Sequence, residues 1–455
     1  MFEKNRVLVL SLSILTIFAL LLAGCTQAAT VPTNDVDMDD SAEEPEPAEE
    51  TAPAEETEME DEPAEEEPVT VTFWHGYNAE VETPLLENEI IPAFEAEHPN
   101  IKVESVNQPY DEFRRQLIIS LNAGTAPDLA RIDILWAAEF GDTGALVSME
   151  EFIDNWDTYK DKFLPGPLAT NYFNSHYYGL PLDTNTRVLV YNKAMFAEAG
   201  IEAPPATMDE FVTACEKISA LGEGKYCFAD GGTYLWAMGP WLWSMGGAFT
   251  DPEITVASGY FNSEQSVAAY EWMRMMVEKG YWHPGILGSG VDSWGGFGQG
   301  EIAMLLEGPW FPPSFGDQFP DVEFGLALMP ADEAGPVSVV GGEDIVMFQQ
   351  SENKEAAFLF MDYLLSEEVQ LKLSEAGQIP VLASAAESDT IQNHDFFGIF
   401  LDQLKYAAAR PPHPNLARME EVYTNYSGYI LAGEMDTQEA LDAAVLELDP
   451  IMESR

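Results

Sequence analysis

Residues 179–200, GLPLDTNTRVLVYNKAMFAEAG, constrain the fold more than any other stretch of this chain. Val188, Leu189, Val190 and Tyr191 make a short apolar run, rich in β-branched residues, of the kind a parallel sheet buries on both faces. Asn192 follows as an N-cap. Met195, Phe196 and Ala199 then recur at helical spacing, and Gly200 stands where a left-handed C-cap is wanted. A strand, a capped helix and a glycine stop form one half of a βαβ unit. Taken alone, they fit a strand-to-helix turn in any α/β protein.

The same alternation runs through the chain after residue 68. Residues 69–74 read as a first strand, and residues 81–98 as a helix facing the core with Leu85, Leu86, Ile90, Ile91 and Phe94. A second strand spans 101–106, and a helix over 110–123 is closed by Gly124. The third strand covers 129–132. Such alternation builds a doubly wound sheet, in which ligands sit beyond the carboxyl ends of strands. That rule puts Trp74, His75, Asp133 and Trp136 at the rim of a cleft. Farther on come a helix capped from Thr207, a strand at 226–229, and the most aromatic stretch, with Tyr234, Trp236, Trp241 and Trp243. A glycine-rich loop at 285–300 holds Trp294, and the next strand ends in Glu307-Gly308-Pro309-Trp310.

At 455 residues the chain exceeds one ordinary domain and suggests two. Residues 1–24 read as a secretory signal: Lys4 and Arg6 precede an apolar run too short for a stable span. Leu22-Ala23-Gly24-Cys25 closes it as a lipoprotein processing site, so Cys25 is expected to carry the lipid that anchors the chain to the membrane. Residues 26–68 carry 18 Asp or Glu and no Lys or Arg, and with the anchor form an acidic, disordered tether over 25–68. Of the formal charge of −59, about −42 remains on the body, which excludes nucleic acid and anionic lipid as partners. Cys215 and Cys227 lie 12 apart across an LGEGK turn, where either a disulfide or two buried thiols fit.

Pro181-Leu182-Asp183, four free positions, Val188-Leu189-Val190-Tyr191-Asn192, three more, then Phe196 resembles the signature of extracellular solute-binding proteins of family 1, the maltose-binding-protein-like group. Phe297, Gly300, Ala303, Met304 and Gly308-Pro309-Trp310 resemble a second-lobe phrase of that family, whose Trp lies at the ligand. The resemblance covers essentially all of residues 69–455. It implies an α/β, two-lobed, type II periplasmic-binding-protein-like fold with a hinged cleft. Residues 69–182 and 336–390 would form the first lobe, and 183–335 and 391–455 the second. It further implies a monomeric, extracytoplasmic subunit that hands a sugar, expected to be an oligosaccharide, to the permease subunits of an ABC importer. One departure bears on the ligand. After Gly341-Gly342 many sugar binders of the family carry an aromatic residue, whereas here Glu343 follows, which favours ligands with many hydroxyls or a positive charge.

An enzyme has to find its reacting groups. There is no GxSxG elbow, the six histidines show no HxxxH, and no Cys cluster suits zinc. No metal or cofactor is expected. A pair of carboxylates for glycoside hydrolysis could arise from any two of 79 acids, so a surface glycoside hydrolase stays as one alternative and a binding protein for a cationic solute such as a polyamine as another. A sugar receptor needs flat apolar faces and in-plane hydrogen-bonding groups. Trp74, Trp236, Trp241, Trp294 and Trp310 are the candidate stacking faces, and His75, Asp133, Trp136, Gly342 and Glu343 complete the rim. Arg187, within the hinge strand, either binds ligand or neutralises nearby carboxylates.

Overall fold

The computed structural model describes residues 68–288, 290–332 and 334–454. The expected signal, the Cys25 anchor and the tether lie outside the described residues. Strands β1 (Val69–His75), β2 (Ile101–Asn107) and β3 (Leu129–Asp133) alternate with helices, as the apolar spacing requires. The helix after β1 runs from Glu82–Leu85 through a π-helical turn, Leu86–Ile90, into Ile91–Glu97. It buries Leu86, Ile90 and Phe94 against Val71 and Phe73 of β1. A small hairpin, β4 (Tyr172–Phe173) and β5 (His176–Tyr177), precedes β6 (Leu180–Thr186) and β7 (Val188–Asn192). The later strands are β8 (Tyr226–Phe228), β9 (Ile302–Glu307), β10 (Phe324–Ala327), β11 (Ser338–Met347) and β12 (Ala407–Ala409).

These strands form two main sheets, the cores of two lobes. In the first the order is β12-β11-β3-β1-β2, with β6 also paired to β11, and in the second it is β10-β7-β9-β8. β1 pairs in parallel with β2 and β3. β11 gathers the rest of its sheet, pairing antiparallel with β3 and β6 and parallel with β12. Val188, Leu189 and Val190 are fully buried, but both neighbours of β7 run antiparallel to it, not parallel as the apolar run suggested. Burial on both faces, rather than strand direction, dictates such a run. Asn192 caps the helix Lys193–Glu198, its Oδ1 accepting from the Met195 N–H at 3.1 Å.

Among the described residues, three passages join the lobes. The first falls at Arg187, between Thr186, which faces Val340 of the first sheet, and Val188, which faces Glu307 of the second. The second lies within residues 328–337. The third follows β12, after which the helices Leu416–Leu431 and Thr437–Glu453 return to the second lobe's core. Residues 183–186 and 407–409, expected in the second lobe, thus pair with the first sheet. Cys215 and Cys227 are joined in a disulfide with Cα atoms 4.9 Å apart, pinning the helix Met208–Ser219 to β8. Among the described residues no helix is long and apolar enough to cross a membrane, and no cluster of His, Cys, Asp or Glu is arranged to hold a metal ion.

Candidate functional site

Between the lobes lies a cleft of about 640 Å³. The first lobe contributes Asn78, Glu82, Tyr110, Arg131, Asp133, Trp136, Gly342 and Glu343, and the second contributes Tyr234, Trp236, Trp310 and Glu420. Asn185 and Arg410 reach it from the passages, and Gln378 from the segment bridged to β6 at Thr184 and Ile379. Asp133 is the last residue of β3, where the carboxyl ends of strands open a crevice. Gly342 has φ +140°, and a Cβ there would fall 2.5 Å from the Asp183 carbonyl oxygen, so only glycine lets β11 lie this close to β6. The register shifts just beyond it, between Glu343 and Asp344, and such a bulge re-aims the side chain beside it.

Two guanidinium groups organise the charge. Arg131, buried within β3, donates from Nη2 to Glu343 Oε2 at 2.8 Å and to Asp183 Oδ2 at 3.0 Å, and lies 4.2 Å from the Tyr77 ring centre. Arg410 Nη2 stands 3.1 Å from Asp133 Oδ2 in the first lobe, and its Nη1 lies 3.5 Å from Glu420 Oε1 in the second. Asp133 also accepts from the Tyr110 hydroxyl at 2.6 Å and from the Leu135 N–H at 2.9 Å, so both its oxygens are committed. Burial pushes the Glu343 carboxyl well up despite Arg131, with Asp183 adding to the rise. Burial also raises Glu82, which accepts from Gln378 and from the Asn78 N–H. Five acids, Glu82, Asp133, Asp183, Glu343 and Glu420, surround two guanidinium groups. Hydroxyl or ammonium hydrogens of a ligand meet carboxyl oxygens here.

Of the expected rim residues, Asp133, Trp136, Trp236, Trp310, Gly342 and Glu343 line this cleft, and five others do not. Trp74 packs half-buried against the cluster of Phe113, Ala130 and Phe140. His75 is fully buried, its Nε2 2.8 Å from Ser105 Oγ, and burial beside Arg131 lowers its pKa to about 3. Because β1 runs through His75, the cleft begins only at Gly76. Trp241 is fully buried in the second lobe's core, its ring 4.9 Å from Phe211 and 5.1 Å from Phe228. The aromatic stretch forms the helix Leu235–Ser244, and five residues of helix rotate Trp241 roughly 140° away from Trp236. Trp294 sits in the short helix Ser293–Gly298, donating from Nε1 to Glu307 Oε1 at 2.7 Å and packing on Phe311. Arg187 turns into the second lobe, donating to Asp230 Oδ2 at 2.8 Å and to the carbonyls of Trp236 and Leu306.

Tyr110, Arg131, Asn185, Tyr234, Gln378 and Arg410 were not singled out from the sequence. Arg131 carried a signal, a charged residue inside an apolar strand of a chain with only 20 Lys and Arg. The others reach the cleft from segments that only the completed fold brings together.

The sequence profile of bacterial extracellular solute-binding proteins matches residues 79–371, from the first-lobe wall of the cleft through both sheets. The chain belongs to the bacterial extracellular solute-binding protein family. This solute-binding protein is 28% identical over 374 residues to a Brucella abortus (strain 2308) protein named as a binding protein, covering 80% of this chain and 89% of the relative. It is 24% identical to the galactooligosaccharide-binding protein of Bacillus subtilis (strain 168), over 78% of this chain and 84% of that one. An ABC transporter solute-binding protein from Thermotoga lettingae, solved with α-D-tagatose bound, superposes with a TM-score of 0.77 at 29% identity. The match covers 84% of this chain and all of the other. The solute-binding protein thus has the type II, two-lobed fold that the resemblance implied.

Proposed function

We propose that this solute-binding protein is the extracytoplasmic substrate-binding subunit of an ABC importer and takes an oligosaccharide into its cleft. The observation that carries the proposal is the division of the walls. Half-buried indoles, Trp236 and Trp310, stand on the second lobe, and the Arg131–Glu343 pair stands opposite on the first. A pyranose offers apolar C–H faces to such rings and hydroxyl edges to such acids. The relatives named for galactooligosaccharide and solved with tagatose support a sugar as ligand. Touching both walls, the ligand favours the closed form, since only differential contact can shift a hinge equilibrium. The cleft binds without converting its ligand, the protein acts as a monomer with permease subunits, and Cys25 carries the lipid anchor.

Thermal shift against neutral di- and trisaccharides, uronates and polyamines tests the ligand class, because a ligand bound only by the folded state raises Tm. Neutral saccharides, recovered unaltered, are expected to stabilise. A shift with polyamines alone would replace the sugar by a cation. Trp310→Ala should then weaken the saccharide by about 2–4 kcal/mol, as truncations of buried aromatic anchors do, with folding intact. Unchanged affinity would remove Trp310 from the site.

A further inference from the structure

Two glycines stand where Trp310 needs room. A Cβ built on Gly308 would fall 2.2 to 2.5 Å from three atoms on the outer rim of the Trp310 six-membered ring. A side chain at 308 and the present ring position therefore exclude each other. Gly308 is not among the glycines with positive φ, so its backbone suits any residue and the demand is for space alone. The other glycine comes from the opposite lobe. Gly377 follows the helix Glu367–Glu375, whose Val369 and Leu373 belong to the first lobe's core together with Ala376. Its φ is +96°, and a Cβ there would fall 2.3 Å from the Pro309 carbonyl oxygen and 2.8 Å from Trp310 Cα. The nearest atoms to a Cβ at Gly308 thus belong to the ring, whereas those nearest a Cβ at Gly377 belong to the main chain that carries it, across the gap between lobes.

We infer that Gly308 and Gly377 are positioning residues for Trp310, holding its indole at the tilt that faces the cleft and so setting ligand affinity without touching ligand. The inference rests on Trp310 being the stacking face proposed above. Trp310 is half-buried and packed against the cluster of Phe311 and Phe315, its side chain also hydrogen-bonds Glu307, and the space left at Gly308 is what receives the rim of its ring. A methyl at 308 displaces a ring edge, which can move. A methyl at 377 confronts a carbonyl oxygen, which cannot move without parting the lobes or bending the chain, and it must also adopt a left-handed backbone.

A double-mutant cycle with maltotriose and β-1,4-galactotriose as probes tests this. Gly308→Ala is expected to weaken binding about tenfold when Trp310 is present and by less than about twofold in the Trp310→Ala background, the non-additivity of residues in contact. Equal losses in both backgrounds would overturn the inference. If Trp310→Ala alone leaves affinity unchanged, the stacking role itself fails, which is a separate result. A readout without ligand decides the positioning in every case: 5-fluorotryptophan NMR, with the Trp310 resonance assigned from Trp310→Phe. Gly308→Ala should shift that resonance and leave those of Trp241 and Trp282 in place, and an unmoved Trp310 resonance would overturn the inference. Gly377→Ala, which displaces the main chain carrying the ring, should likewise cost more with Trp310 present than in the Trp310→Ala background, and equal losses would overturn its positioning role. Should it fail to fold, the Gly308 cycle and the NMR still decide.

Discussion

Glu307 ends β9 with its carboxylate under Trp294 and near Arg187, and burial, only partly opposed by that guanidinium and indole, pushes its pKa from 4.5 up to about 7. The folded chain holds this proton more tightly than the unfolded one. The stability tied to it is complete below pH 4.5 and is lost as pH rises through about 7. Glu307→Gln keeps an oxygen for the Trp294 N–H and has no proton to lose. Its unfolding free energy should fall less between pH 5 and 8 than that of the parent chain, by about 2 kcal/mol. Urea titrations at each pH check this, and parallel curves would show that Glu307 titrates normally. Individual residues were also where the sequence was hardest to read. Trp236 and Trp241 share one helix, and nothing local says which of them faces the cleft. The answer depends on helical phase, and that phase is set by a core drawn from β8, the helix Glu264–Glu278 and the C-terminal helices.

At the scale of elements, punctuation was more legible than direction. Caps at Asn192 and Thr207 and the left-handed Gly124 and Gly200 fall where their side chains, or lack of one, satisfy helix ends. The helix Leu235–Ser244 was hidden because Gly239 and Pro240 inside it are ordinarily breakers. Gly239 is there because the Trp243 ring occupies the place of its Cβ, 2.7 Å away. The disulfide between Met208–Ser219 and β8 closes a span of 12 residues, and loops near that length confer about 2–3 kcal/mol by restricting the unfolded chain. A Cys215→Ala, Cys227→Ala variant should unfold at correspondingly lower urea, with saccharide affinity unchanged because neither residue lines the cleft. An unchanged midpoint would mean the two elements need no tie.

At the scale of the whole molecule, Arg410 links the lobes through ion pairs, from Asp133 on one to Glu420 on the other. Arg410→Met leaves the buried Asp133 without its cation. The expected cost is about 3–5 kcal/mol, as for other buried pairs broken on one side. Small-angle scattering should also report a wider distribution of lobe separations. A variant as stable and as narrow in scattering as the parent would show that packing alone sets the hinge. Two domains could be read from the chain's length, and their arrangement as lobes from the family resemblance. The passages could not be placed to the residue, because Asp183, Thr184 and Asn185 look alike on either side of a boundary until their partners in β11 are known.

That dependence on β11 also governs when the first lobe can come into being. Glu343 lies opposite Asp133 although about two hundred residues separate them in the chain. A ribosome adding about 5–20 residues per second needs roughly 10–40 s to span that interval. Throughout that time β3 has β1 on one side and a bare edge on the other, the arrangement that invites foreign strands, while closing so long a loop slows the pairing further. The second sheet is complete once β10 emerges, before any of β11 exists. The sheet begun first is therefore the sheet finished last.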